Sequence, residues 1–171
     1  MKRHRGLELI GLLIVCFAAG SALAQTSSST QSFIHNASVG NQFEISSSRL
    51  ALQKSSNNDI KQFAQHMVDD HTQIGNQMKD ALAKSGAGLP QPATALDARH
   101  QKLLNKLNDA SGADFDRQYV KSQLAAHKDA VVLFRDYSKN GDNSSLKSFA
   151  SQALPVIEEH YKRIKQIQAS L

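Results

Sequence analysis

Apolar residues recur with the 3.6-residue period of an α-helix through almost all of residues 32–170, and no segment alternates as a half-buried strand would. The pattern is interrupted only where Gly, Asn, Ser and Pro cluster. It therefore predicts four long helices and one short one, with approximate bounds 32–54, 58–85, 94–110, 114–139 and 143–170.

Two short turns and one long connection join the predicted helices. Asn57 suits the N-cap after the first turn, and Asp142 or Asn143 suits the N-cap after the second. Short turns make sequential helices antiparallel neighbours, and one long crossover is typical of ferritin-like wiring. The sequence thus predicts an all-α, ferritin-like antiparallel four-helix bundle, with the short extra helix in the crossover between helices two and three.

The N-terminus has the order of a secretory signal. It has a basic start, an apolar stretch and a small-x-small cleavage site: Lys2, Arg3 and Arg5, then Leu7 to Ala19, then Ala22-Leu23-Ala24. The apolar stretch is too short to span a bilayer comfortably, and no later segment has roughly 18 uninterrupted apolar residues. We expect a signal peptide at 1–24, a flexible linker at 25–31 and a periplasmic or secreted, envelope-associated bundle at 32–171. Retention of the signal as an anchor is the alternative.

Composition excludes several functions of the mature chain. The only cysteine of the sequence, Cys16, lies inside the predicted signal, so the mature chain is not expected to have a disulfide framework, a thiolate metal site or a cysteine nucleophile. After residue 24, the 17 basic and 14 acidic residues are interspersed, which argues against a nucleic-acid partner. No serine has a histidine and an acid at a recognisable motif spacing. The sequence predicts no catalytic residue and no organic cofactor.

Each long predicted helix carries one ionisable residue on its apolar face. Successive side chains of a helix are 100° apart around its axis, so the sequence shows which side of the helix each one occupies. The apolar faces contain His71, His127 and His160, and Glu44 lies on the apolar side of the first helix. Asp70 lies about a quarter turn from the apolar stripe that holds His71. It is a candidate hydrogen-bond partner of a metal ligand; the alternative is that Asp70 is simply an exposed acid.

Two other histidines act as a control for this facing. His35 and His66 share their helix faces with polar residues, so both are predicted to be exposed. The location of the other three histidines on apolar faces is therefore not explained simply by the number of histidines in the chain.

The position of each candidate residue along the bundle axis is a second test of whether the four side chains can meet. Counted from the turns, Glu44 and His71 are level, whereas His127 and His160 differ by five residues, which is roughly 7 Å of helix. Pro155, inside the last helix, removes one backbone hydrogen bond and is expected to bend it, which changes this offset.

Burial of one carboxylate and three imidazoles is unfavourable unless they are paired, hydrogen-bonded or bound to a cation. One interpretation is a metal site, since three imidazoles and a carboxylate suit zinc, copper, iron or manganese. The other is a metal-free network in which Glu44 bonds to the histidines and serves the fold alone.

Several short blocks carry a family resemblance. They are Phe43-Glu44, Leu50 to Leu52, Asn57 to Ala64, Met67 to Thr72, Leu89-Pro90, Phe115-Asp116, Tyr119, His127, Leu154-Pro155 and His160. Over residues 31–168 they resemble a family of bacterial exported, outer-membrane or periplasmic proteins with a ferritin-like domain of unknown function. The Met-x-x-Asp-His block is the most specific part. The resemblance implies a ferritin-like four-helix fold, no established activity, and matched roles for Glu44, Asp70, His71, His127 and His160.

One feature departs from the ferritin-like di-iron proteins, which use Glu-x-x-His on two helices. Val68 and Ile157 occupy the positions where those glutamates would stand, so iron oxidation or storage of that kind is not expected.

The sequence predicts handling or sensing of one metal ion by four ligands, Glu44, His71, His127 and His160. A non-catalytic envelope stress or interaction module with a protein partner is the alternative, and an oxidase-like or peroxidase-like enzyme is a third hypothesis.

Overall fold

The computed structural model describes residues 28–86 and 88–171. These residues form five α-helices and no strand, which confirms the predicted all-α class. The helices are α1 (Ser28–Lys54), α2 (Asn58–Lys84), α3 (Ala98–Asp109), α4 (Gly112–Asn140) and α5 (Ser144–Ser170). None of these described helices is both long and apolar enough to cross a bilayer. The expected signal peptide at 1–24 lies outside the described residues.

Asparagine side chains fix the starts of α2 and α5. Asn57 Oδ1 accepts the backbone N–H groups of Asp59 at 2.9 Å and Ile60 at 3.2 Å. Asn143 Oδ1 accepts that of Leu146 at 3.0 Å. These bonds satisfy donors that have no partner inside the helix, and both caps agree with the sequence prediction.

The starts of α3 and α4 differ from the predicted ones. α3 begins four residues later than expected because Asp97 is its N-cap and accepts the backbone N–H of His100 at 2.8 Å. α4 begins two residues earlier than expected, where the N–H of Phe115 bonds to the carbonyl of Ser111 at 3.2 Å.

The start of α1 corrects the predicted linker. The helix begins at Ser28, so the last four residues of the expected linker at 25–31 are helical. Thr30 explains the difference, since it is 2 % exposed and its hydroxyl bonds to the Tyr137 hydroxyl at 2.6 Å and to the Asp142 carboxylate. These tertiary contacts at the α4–α5 turn hold a polar segment whose composition alone favours a flexible linker.

Hydrogen bonds between helices show their relative direction. The Ser48 and Tyr119 hydroxyls are 2.9 Å apart, and Gln123 Nε2 donates to Ser47 Oγ at 3.0 Å, so α1 and α4 are antiparallel. α1 also packs on α2, and α5 packs on both α2 and α4, so the four long helices form a closed ring. α3 packs mainly on α1. α5 is continuous through Pro155, which is exposed.

The apolar core has two parts, one toward each end of the long helices. The first includes Phe33, Phe134 and Phe149, and the second includes Phe63 and Phe115. Along α2, α4 and α5, the stretch between the two parts holds one buried histidine each: His71, His127 and His160. The candidate site therefore lies in the middle of the packed interior.

Candidate metal centre

Three helices each contribute one histidine to a single cluster. His71 of α2, His127 of α4 and His160 of α5 are 5 %, 1 % and 6 % exposed. Their ring centroids form a nearly equilateral triangle, with 5.9 Å between the first and second, 5.5 Å between the first and third and 5.6 Å between the second and third. One ligand nitrogen from each ring lies within 4.8 Å of the other two. The offset of five residues between His127 and His160 does not separate them.

A hydrogen bond on one nitrogen of each ring orients that ring. The pairs are His71 Nδ1 with Asn41 Oδ1 at 3.0 Å, His127 Nδ1 with the backbone oxygen of Gln123 at 2.9 Å, and His160 Nε2 with Asp70 Oδ2 at 2.8 Å. An amide oxygen, a backbone carbonyl and a carboxylate can only accept, so the histidine nitrogen is the donor in every pair. These bonds fix the tautomer of each ring.

The second nitrogen of each ring has no hydrogen-bond partner within the described part of the chain. These nitrogens are His71 Nε2, His127 Nε2 and His160 Nδ1, and all three are buried. Because the proton of each ring is on the other nitrogen, each of these atoms carries a lone pair and cannot donate to its neighbours. A buried acceptor left unpaired costs about 1–3 kcal/mol. Such a set of donors suits a cation.

Burial keeps the three imidazoles neutral. It lowers the pKa of His71 well below 6.5, and repulsion from the other two rings lowers it further. Burial also lowers the pKa of His127 to about 3, against the opposing effect of its bond to Gln123. Burial lowers the pKa of His160, and the bond to Asp70 partly offsets this. The neutral imidazole is the form that binds metals, so no proton has to leave the rings at pH 7.

Glu44 lies beside the histidine cluster but is not part of it. Its Oε1 is 3.7 Å from His127 Nδ1, beyond hydrogen-bond distance, and its Oε2 is buried without a hydrogen-bond partner among the described residues. Burial raises the pKa of Glu44 to about 8, although the Gln123 side chain lowers it somewhat. The carboxyl group is therefore mostly protonated at pH 7.

Asp70 and Phe63 flank the cluster. The Asp70 side chain is 42 % exposed, so its carboxylate reaches His160 from the edge of the protein. The Phe63 ring lies 6.2 Å from the rings of His127 and of His160, in edge-to-face geometry. The cluster thus has a charged hydrogen-bond acceptor on one side and an apolar wall on another.

The sequence prediction does not include Asn41 and Gln123. Gln123 is fully buried, and its backbone oxygen accepts from His127 four residues later. Asn41 lies three residues before Glu44 on α1. Asn41 could have been found among the polar side chains one helical turn from a predicted ligand, since residues three or four apart share a helix face. The role of the Gln123 backbone oxygen has no such signal.

The remaining described histidines lie outside the cluster. His35 and His66 are exposed, as their polar neighbours predict. His100 of α3 is partly buried, with its Nδ1 2.7 Å from Asp97 Oδ1 and its ring 5.4 Å from that of Phe43.

A cleft borders the site on the side of Glu44 and His71. It lies mainly between α1, α3 and α4 and has a volume of about 1400 Å³. Glu44 and His71 line its inner part, and Arg99, Lys102 and Asp129 are among its outer residues. Arg99 and Asp129 are 3.6 Å apart, so an ion pair joins α3 to α4 at this cleft.

The fold is similar to that of three solved structures. CopM in the Cu(II)-bound form has a TM-score of 0.68 and 22 % identity over 82 % of this chain and 96 % of that one. CopM in the Cu(I)-bound form has a TM-score of 0.67 and 22 % identity, covering 85 % and 98 %. CopM in the Ag-bound form has a TM-score of 0.64 and 22 % identity, covering 82 % and 96 %. The chain therefore has a CopM-like helical fold.

No curated protein matches the sequence. The model of a family described as a domain of unknown function, DUF4142, matches residues 17–167, and the chain belongs to that family.

Proposed function

We propose that this protein binds one transition-metal ion between α2, α4 and α5, and that it handles or senses this metal without catalytic turnover. His71 and His127 bind through Nε2, and His160 binds through Nδ1. The observation that carries the proposal is a group of three buried imidazole nitrogens that have no hydrogen-bond partner among the described residues. In each ring the other nitrogen is hydrogen-bonded to a group outside the cluster.

The three imidazole donors favour copper or another metal that prefers imidazole ligands. Imidazole suits copper, zinc, iron and nickel, and a hydrogen bond behind each imidazole raises its basicity and fixes its orientation. Copper comes first because the similar structures are of CopM bound to Cu(II), Cu(I) or Ag. Zinc, iron and manganese are the other ions that the titration must include.

Glu44 is the proposed fourth ligand. In the metal-free protein its carboxyl group holds a proton at pH 7 because burial raises its pKa to about 8. A cation among the three imidazoles would lower that pKa and release the proton, which makes the carboxylate available. The cleft that Glu44 lines is the proposed entry path for the metal.

A purely structural polar network is the weaker alternative. It requires the buried groups to satisfy one another, but Glu44 is too far from His127 for a hydrogen bond and its Oε2 has no partner among the described side chains. A half-satisfied network in the core is less favourable than apolar packing. An envelope interaction module therefore has less support than a metal site.

The cellular setting of the proposal comes from the sequence. The basic, apolar and small-x-small order at 1–24 supports export to the periplasm or cell envelope. We also propose that the ring of long helices is an antiparallel bundle with ferritin-like wiring, since two short turns and one long crossover connect the helices.

Metal titration of the purified protein tests the proposed function. After chelator treatment, the wild type should take up one equivalent of Cu(I) or Cu(II) and become more stable to heat, because a ligand of the native state stabilises it. His71→Ala should lose this uptake, and His66→Ala, an exposed histidine on the same helix, should keep it. A wild type that binds none of copper, zinc, iron or manganese would rule out the site.

A further inference from the structure

We infer that Asn41 and Gly75 together set the tautomer of His71, so that its Nε2 is free for the metal. This inference rests on the proposed function. It gives a role to a helix-interior glycine that the fold alone does not explain.

Gly75 lies well inside α2, far from either end of the helix. Its φ is not among the positive values, so the backbone does not require a glycine at this position. Glycine weakens a helix interior relative to alanine. A feature other than backbone conformation or helix stability must therefore account for the glycine at position 75.

The reason is the close approach of Asn41 from α1. A Cβ atom at position 75 would lie 3.0 Å from Asn41 Nδ2, which is too close without movement of that amide group. The same amide accepts from His71 Nδ1 through its Oδ1, at 3.0 Å. Gly75 follows His71 by four residues and so shares its helix face. The missing side chain makes room for the amide that bonds to His71.

The orientation of this amide decides where the proton of His71 resides. With Oδ1 toward the ring, Nδ1 donates and Nε2 keeps its lone pair. If Asn41 turned over, its NH₂ group would face Nδ1, and the imidazole proton would move to Nε2, where it would block metal binding. Gly75 is thus a positioning residue that acts through Asn41.

Two variants and a matched control test the inference through metal affinity. Gly75→Ala should bind Cu(I) or Cu(II) about tenfold more weakly, and Asn41→Leu about 10–100-fold more weakly, as expected when the partner behind a ligand is disturbed. Gly40→Ala should leave the affinity unchanged, because no atom of the described residues that could clash lies within 4 Å of a Cβ at that helix-interior position.

Stability separates this role from a structural one. Gly40→Ala should raise the melting temperature of the metal-free protein by about 2–4 °C, because alanine favours the helix. Gly75→Ala should gain less than this, because its Cβ displaces the Asn41 amide. A melting temperature near the wild-type value would show that the loss of affinity in Gly75→Ala is not a loss of the fold. Unchanged affinity in both Gly75→Ala and Asn41→Leu would overturn the inference.

The tautomer can be read directly in the metal-free protein by ¹⁵N NMR of the His71 ring. The wild type should carry the proton on Nδ1, Asn41→Leu should show a mixture of tautomers, and Asn41→Asp, which can only accept, should restore the Nδ1 proton. A wild type with the proton on Nε2 would overturn the inference. A wild type that binds no metal would overturn the proposed function, and the NMR result would still decide the role of Asn41 and Gly75 separately.

Discussion

The Asp70 carboxylate accepts a hydrogen bond from His160 Nε2 at 2.8 Å, and it is the charged acceptor among the three that orient the histidine cluster. α2 therefore supplies one histidine of the site and also the acid that orients the histidine of α5. The carboxylate is half-exposed, so this contact can be removed without opening the core.

Removal of the Asp70 carboxylate should weaken the site without loss of the fold. Asp70→Ala is expected to lower the metal affinity about 10–100-fold, because His160 loses the partner that fixes its orientation and raises its basicity. Asp69→Ala is the matched control, since Asp69 is exposed and, among the described residues, its carboxylate bonds to Gln65 alone. Competition with a chromophoric copper chelator measures both affinities. Equal affinities in the two variants would contradict the role of Asp70.

The buried histidines should make the metal-free protein sensitive to acid. Their pKa values are lowered in the native state, so the unfolded chain binds more protons below its ordinary histidine pKa of 6.5. The contribution of the three histidines to stability should therefore be full above pH 6.5 and fall as the pH drops toward about 3, the pKa of His127. Urea unfolding from pH 7.5 to pH 4 measures this loss. His127→Gln should flatten the dependence, and exposed His66→Gln should not; equal slopes in these two variants would count against the prediction.

Glu44 should act in the opposite direction. Its native pKa of about 8 lies above the ordinary 4.5, so its contribution to stability is full below pH 4.5 and is lost as the pH rises through 8. In the presence of chelator, the free energy of unfolding of Glu44→Gln should rise relative to that of the wild type as the pH increases from 5 to 9, by a few kcal/mol at most. Glu159→Gln, an exposed neighbour of His160, should show no such gain. A constant difference between Glu44→Gln and the wild type across this range would show that Glu44 does not titrate as described.

The sequence predicts the helices well because their signals are local. Apolar spacing marks each helix, and the asparagine caps at Asn57 and Asn143 mark two of the starts. The start of α1 depends instead on the bond between Thr30 and Tyr137, which are 107 residues apart. No local pattern carries such a contact, so a polar segment that is helical was predicted to be a linker.

The facing of the site residues is also local, but their distances are not. The 100° spacing predicts that His71 and His127 point inward, and the structure has both buried. It does not determine how far Glu44 lies from them, because that depends on the rotation of α1 and on side-chain conformation. The backbone oxygen of Gln123 cannot be anticipated from residue types at all, since every residue has one.

Binding of one metal ion by three imidazoles is tested most directly by anomalous diffraction from crystals of the copper-loaded protein. A single copper peak is expected about 2 Å from His71 Nε2, His127 Nε2 and His160 Nδ1, the usual length of a metal–imidazole bond. A peak elsewhere on the protein, or no peak among these three nitrogens at saturating copper, would contradict the proposed metal centre.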